Sequence, residues 1–316
     1  TTNKSMDQLR LTIMMTLMHN GATLIIDAID PTGTFDERVY QKLGEIFGET
    51  KLYEKYFKRG EMSYDVGVYF KLDGKMDIEN NEVPVDSTEA GNSSMPSYEA
   101  LNGAAVSLRK HHIPFSVVNN WKLELIDKLS ILVLPDVPDM EMREIEAVAE
   151  FVRKGGKLYM SGHSAPSLLQ EIFDVQWNGL TEENITYLAP TEASEVVFDE
   201  FTKQYPLVMF EKAVKISGKP KGEILATLTL PYTTPSSSKF SSIHSNPPGI
   251  DTGLPAMIKM NYGEGMVIWS ALPIEKADRI QHSDIFAGII QMLAGNDGFQ
   301  FGAEAIGSVE CIMFDS

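Results

Sequence analysis

Cysteine is nearly absent: Cys311 is the single one among 316 residues. That excludes an internal disulfide framework and a thiolate metal cluster. A lone Cys in an apolar strand pattern reads as a small core hydrophobe. Long apolar runs are missing too, so no membrane span is expected. Basic residues are few beside the acidic ones, 27 against 44, for a net charge of −17. That balance argues against a nucleic-acid backbone or an anionic membrane surface as partner, and it reads as a surface that confers solubility. Gly60, Gly67 and Gly74 make no dinucleotide fingerprint, because no glycine-rich turn links the first strand directly to a helix. No signal-peptide pattern and no initial Met precede Thr1, and the true amino terminus is expected to lie upstream. No internal repeat is present.

What is there fits a folded α/β protein. Hydrophobic residues make up 43% of the chain, which excludes wholesale disorder. The length leaves room for two domains, or one large domain with appendages. Residues 64–162 organise the rest, reading strand, helix, strand, strand, helix, strand. The strands fall at 64–70, 114–119, 131–136 and 157–162, each short and rich in Val, Ile, Leu or Tyr, as for strands covered on both faces. Helical patterns at 97–112 and 139–154 lie between them. This alternation predicts βαβ crossovers and an open, doubly wound, flavodoxin-like or amidotransferase-like parallel sheet.

The flanks are more fragmentary. Residues 5–20 are expected to form a helix capped by Ser5, with Leu9, Ile13, Met14, Leu17 and Met18 on one broad apolar face and Gly21 closing it. Residues 23–29 read as a buried strand and 30–33 as a turn. Thr34 with Glu37 reads as a capping box for a second helix carrying Val39, Leu43, Ile46 and Phe47. One strand and two helices cannot make a core alone. The piece completes either the sheet that follows or a barrel lying mostly outside this sequence. The loop 72–96 is long and acidic, and reads either as solvated or as a lid at the carboxyl end of the first strand. Beyond Gly162 the pattern gives a short helix at 166–175 and strands at 209–216 and 223–230 joined by a turn at 218–222. A Pro/Ser-rich loop follows at 231–251, then a hairpin of 256–261 with 265–271, and a helix at 276–293 ending at Gly295. Residues 304–314 alternate like the opening strand of an all-β unit.

Two stretches carry a family resemblance. Gly155-Gly-Lys-Leu-Tyr-Met-Ser-Gly-His163, after the helix opening Asp139-Met-Glu141, resembles class I glutamine amidotransferase-like domains. Lys259-Met-Asn-Tyr-Gly-Glu-Gly-Met-Val-Ile-Trp269 resembles the late strands of that fold. The version it is most similar to is the non-catalytic β-galactosidase trimerisation domain that follows the barrel in family 42-type glycoside hydrolases. Lys4-Ser-Met-Asp-Gln-Leu-Arg10, Gly21-Ala-Thr-Leu-Ile-Ile-Asp27 and Pro31-Thr-Gly33 resemble the last βα unit of such a barrel, or of a fucosidase-like one. The resemblance covers roughly residues 1–295 and is one of pattern more than of exact motifs. It implies a carboxy-terminal fragment. Residues 1–60 would be the end of a catalytic (β/α)8 barrel, 61–296 an amidotransferase-like domain used for oligomer contact and active-site shaping, and 297–316 the start of a β-domain. It also implies a carbohydrate substrate (galactoside or a related sugar) for the full-length protein, a homo-oligomer, and no cofactor or metal.

A glycosidase needs two carboxyl groups flanking the scissile bond, and in barrels they sit at strand ends. Asp27 and Asp30 lie near the end of the one barrel-like strand and are the candidate substrate-binding residues. Asp27 reads equally as a buried structural group, and Asp30 as the start of the turn before Pro31. The resemblance places the catalytic pair on earlier strands, so no catalytic residue is assigned here. In active amidotransferases a nucleophilic Cys follows the strand matched by residues 157–161; Gly162 stands at that position, so no thiolate is available. Ser161 or Ser164 could act only with a base; His163 adjoins them, and His244 and His282 are the later candidates. His111 and His112 end a helix, where a cation suits the macrodipole. Trp121, Trp177 and Trp269 are candidates for stacking on sugar, with Trp269 better placed in the core. A complete, non-enzymatic binding or scaffold protein is the competing reading.

Overall fold

The computed structural model describes residues 4–27, 31–57, 60–71, 96–233 and 246–315. Asp30, His244 and nearly all of the acidic loop 72–96 lie outside the described residues. The chain divides into two compact units, Thr1–Ser63 with Cys311–Ser316, and Tyr64–Glu310. No helix among the described residues is long and apolar enough to cross a membrane.

In the first unit, α1 (Met6–Met18) begins where expected: Ser5 and Gln8 exchange side-chain and backbone hydrogen bonds at 3.2 Å, a capping box. Its end differs from expectation. Asn20 takes the left-handed conformation, with φ 57°, and Gly21 follows it. The Asn20 N–H donates to the Leu17 carbonyl and the Gly21 N–H to that of Thr16, which is a Schellman closure. Asn supports this backbone through its short polar side chain. Helix α2 (Glu37–Thr50) is capped by Asp36 rather than Thr34, because the Asp36 carboxylate reaches the Arg38 N–H at 3.0 Å. Ile13 of α1 and Ile46 of α2 are buried, and Arg10 grips Glu49 through two bonds of 2.7 and 2.9 Å. A short helix, α3 (Glu54–Phe57), follows, and β1 (Glu61–Ser63) pairs antiparallel with the last strand, Met313–Asp315. Of residues 304–314, only the end is strand. Residues 23–27 form no strand: Leu24 and Ile26 are 82% and 84% exposed. A strand needs a ladder partner, and among the described residues of this unit none is offered.

The second unit runs β2 (Val66–Phe70), α4 (Pro96–Lys110), β3 (Phe115–Asn119), β4 (Ile131–Leu134), α5 (Met142–Arg153), β5 (Lys157–Ser161) and α6 (Pro166–Phe173). After these come β6 (Gln176–Leu180), β7 (Thr186–Pro190), α7 (Glu195–Phe198), β8 (Leu207–Met209), β9 (Val214–Ser217), β10 (Glu223–Pro231), β11 (Pro248–Tyr262), β12 (Gly265–Ser270) and α8 (Ile280–Ala294), with β13 (Met313–Asp315) belonging to the first unit. Nine strands make one sheet in the order β3-β2-β4-β5-β12-β11-β10-β7-β8. The first five run parallel and the remainder extend the sheet antiparallel. The parallel strands thus follow the flavodoxin-like order 2-1-3-4-5. Their all-apolar runs are explained by burial: Ile131 to Leu134 and Leu158 to Met160 are inaccessible. Helix α5 turns Val148, Ala149, Phe151 and Val152 inward, and Tyr159 meets Phe286 of α8 edge to face at 5.3 Å.

Two expectations change here. Residues 209–216 are two strands in different sheets, and β9 pairs with β6 rather than with β10. The turn at 218–222 therefore closes no hairpin, because β10 is already flanked by β7 and β11. The hairpin of β11 with β12 turns where expected, with Gly263 at φ 62°, but β11 starts at Pro248 rather than 256, because the end of the expected loop 231–251 pairs with β10. Cys311 is half-buried rather than in the core.

Candidate functional site

The carboxyl ends of β4 and β5 bring together a buried acid, two serines and a histidine. Asp136 follows β4 and is buried. Its carboxylate accepts the His163 N–H at 2.8 Å and contacts the His163 imidazole Nδ1 at 2.8 Å. That hydrogen bond raises the His163 pKa against the opposing effect of burial. Between them sits Gly162, with φ 54°. A Cβ at that position would lie 2.1 Å from Asp136 Oδ1, so a side chain there would have to displace the Asp136 carboxylate.

The two serines are equally committed. Ser161 is buried; its hydroxyl donates to Glu275 at 2.5 Å and accepts the Asp136 N–H at 3.0 Å. Ser164 is buried; its hydroxyl donates to the Leu134 carbonyl at 2.9 Å and accepts the Val137 N–H at 2.8 Å. His163 faces Asp136, not a serine. His282 is buried, bonds the Val208 carbonyl at 2.7 Å, and has its pKa lowered by that burial. No nucleophile–base pair forms among these described residues. The group that sequence reasoning missed is Glu275, on the turn after β12. It receives Tyr159 OH at 2.8 Å as well as Ser161, and burial pushes its pKa up to about 7. Asp136 had a usable signal, its place at a strand's carboxyl end; Glu275 had none, since its burial depends on α4 and β5 closing over it.

In the first unit Asp27 is exposed and lines a cleft of about 580 Å³ with Leu9, Val39, Leu43, Phe47 and Lys42. Among the described lining residues it is the one carboxylate. His111 contacts Asp284 at 2.9 Å and His112 the Val309 carbonyl at 3.0 Å. No group of side chains able to hold a metal occurs among the described residues. Trp269 is buried, whereas Trp121 and Trp177 are exposed.

No protein-family model and no curated protein sequence matches this chain. Solved structures match it in fold. Alpha-L-fucosidase isoenzyme 2 from Paenibacillus thiaminolyticus superposes with a TM-score of 0.70 at 20% identity, over 93% of this chain and 42% of that one. The beta-galactosidase from Rahnella sp. R3 gives 0.62 at 16% identity, over 92% and 42%. That from Bacillus circulans sp. alkalophilus gives 0.58 at 15% identity, over 86% and 36%. The chain spans about two-fifths of the length of these proteins, and it has the mixed α/β fold of that portion of them.

Proposed function

We propose that these residues are the carboxy-terminal part of a glycoside hydrolase acting on galactosides or related sugars. The observation that carries this is the fold likeness over 93% of the chain to 42% of a fucosidase, with two β-galactosidases alongside. In this reading residues 1–60 end the catalytic barrel, 61–296 form a non-catalytic domain for oligomer contact and for walling the active site, and 297–316 open a β-domain. The filled position at Gly162 and the buried, committed hydroxyls of Ser161 and Ser164 support a domain without chemistry of its own. The exposed run at Leu24 and Ile26 supports a strand whose neighbours come from earlier barrel strands. Asp27 would then face substrate, with Asp30 as the second candidate for substrate contact.

The test compares nitrophenyl β-galactoside and α-fucoside turnover by the product purified from its native source with turnover by residues 1–316 alone. Turnover by the native product and none by the 316-residue chain is expected. Equal turnover by both would overturn the non-catalytic assignment. Failure of both would favour the binding-protein reading.

A further inference from the structure

A groove of about 570 Å³ runs along α4 in the second unit. One wall is the helical stripe from Glu99 through Asn102 and Val106 to Lys110, about 16 Å of helix axis. The other wall is Phe210, Glu211 and the turn between β12 and α8. The helix and that turn touch at Gly103, where a Cβ would lie 1.9 Å from the Glu275 carbonyl oxygen, so only glycine permits this approach. Lys276 bridges the walls, its ammonium 2.7 Å from Glu211 and 3.4 Å from Glu99, with a side chain only 17% exposed. The Arg279 guanidinium stacks 4.4 Å over the half-exposed ring of Phe210.

The charges cancel. Glu99, Glu211 and Asp278 face Lys110, Lys276 and Arg279, while the Glu275 carboxyl is turned into the core toward Tyr159 and Ser161. We propose that this groove binds an extended, uncharged, hydroxyl-rich ligand, a short oligosaccharide. Hydroxyl groups donate to the carboxylates and accept from the ammonium and guanidinium groups, in charge-assisted hydrogen bonds that leave the Lys276 bridge in place. An ion of either sign meets as much repulsion as attraction, and an apolar ligand strands the charged walls without water. A small zwitterion would have to break the Glu211–Lys276 pair to be held, and it would fill only a fraction of the groove's length. Phe210 supplies apolar surface for the C–H face of a sugar ring. The proposal goes beyond the glycosidase reading and stands on the groove alone.

The test uses the full 316-residue chain and its Phe210→Ala and Lys276→Met variants. Saturation-transfer NMR and calorimetry would measure cellotriose and β-1,4-galactotriose against trigalacturonate and glutamine. Saturable binding of at least one neutral trisaccharide is expected, weakened about tenfold or more in each variant whose circular dichroism and melting match the parent. Should Lys276→Met melt early, Phe210→Ala decides the matter. No saturable binding of either neutral sugar, tighter binding of trigalacturonate or glutamine, or unchanged affinity in folded variants would overturn the proposal. A chain that binds the sugar while the native product hydrolyses nothing would sink the glycosidase reading and leave this one standing. Hydrolysis without groove binding would do the reverse.

Discussion

A carboxyl group enclosed with two hydroxyls, as Glu275 is with Tyr159 and Ser161, ties stability to pH. Its pKa is about 7 in the folded chain against an ordinary 4.5. The folded state therefore keeps a proton that the unfolded chain releases. The stability this confers is full below pH 4.5 and is lost as pH rises through 7, a difference of about 3 kcal/mol. His163, raised by Asp136, acts in the same direction, so the variant must be set against the parent at each pH. Glu275→Gln should gain on the parent by that amount between pH 4.5 and pH 8 in urea unfolding; a constant difference across that range would contradict the assignment. Gly162→Ala is expected to cost roughly 2–4 kcal/mol by the same measurement, because the new methyl meets Asp136 and the backbone has positive φ. Ser161→Ala should cost about 1–3 kcal/mol by leaving the Asp136 N–H without its acceptor. The Gly162 position could be read from the sequence through the strand before it. The reason it must be glycine could not, since the obstructing Asp136 arrives from a different strand.

Elements buried on both faces were legible to within two or three residues: β2, β4, β5 and β12 lie inside the predicted runs, as does the edge strand β3, whereas β11 begins at Pro248, ahead of its predicted start at 256 and inside what read as a loop. Apolar patterning reports burial, and these strands are buried by helices that are themselves predictable. Strand partners were not legible in the antiparallel half, because pairing there is a long-range property: β10 passes over β9, which precedes it, to join β7 as well as β11. Strands β6 and β7 went unread; β6 alternates weakly and is mostly exposed. Helix ends are set by local chemistry, and there the misses were short, one residue at Asn20 and two at Asp36. Asn20→Gly should leave the α1 terminus intact, whereas Asn20→Ala should weaken it by about 1 kcal/mol. Amide exchange at Gly21, whose N–H closes the Schellman motif, would register the loss; unchanged protection in the Ala variant would argue against the motif's role.

At the scale of the molecule, the sequence pattern identified pieces that need company, and among the described residues neither the amino-terminal piece nor β13 supplies a strand to the nine-stranded sheet. The first unit holds the exposed Leu24 and Ile26. Under the proposed function they face barrel strands supplied by the rest of the protein. Ile26→Glu should then leave the melting of the 316-residue chain within about 0.5 kcal/mol of the parent while reducing the soluble yield of the full-length product. Equal yields would remove the support that this run lends to a barrel. The most direct measurement is the intact mass of the native product carrying these residues. The account predicts a mass far above 35.1 kDa, with this chain as its carboxy-terminal part. A native mass near 35.1 kDa would contradict it and make the non-enzymatic binding protein the leading reading.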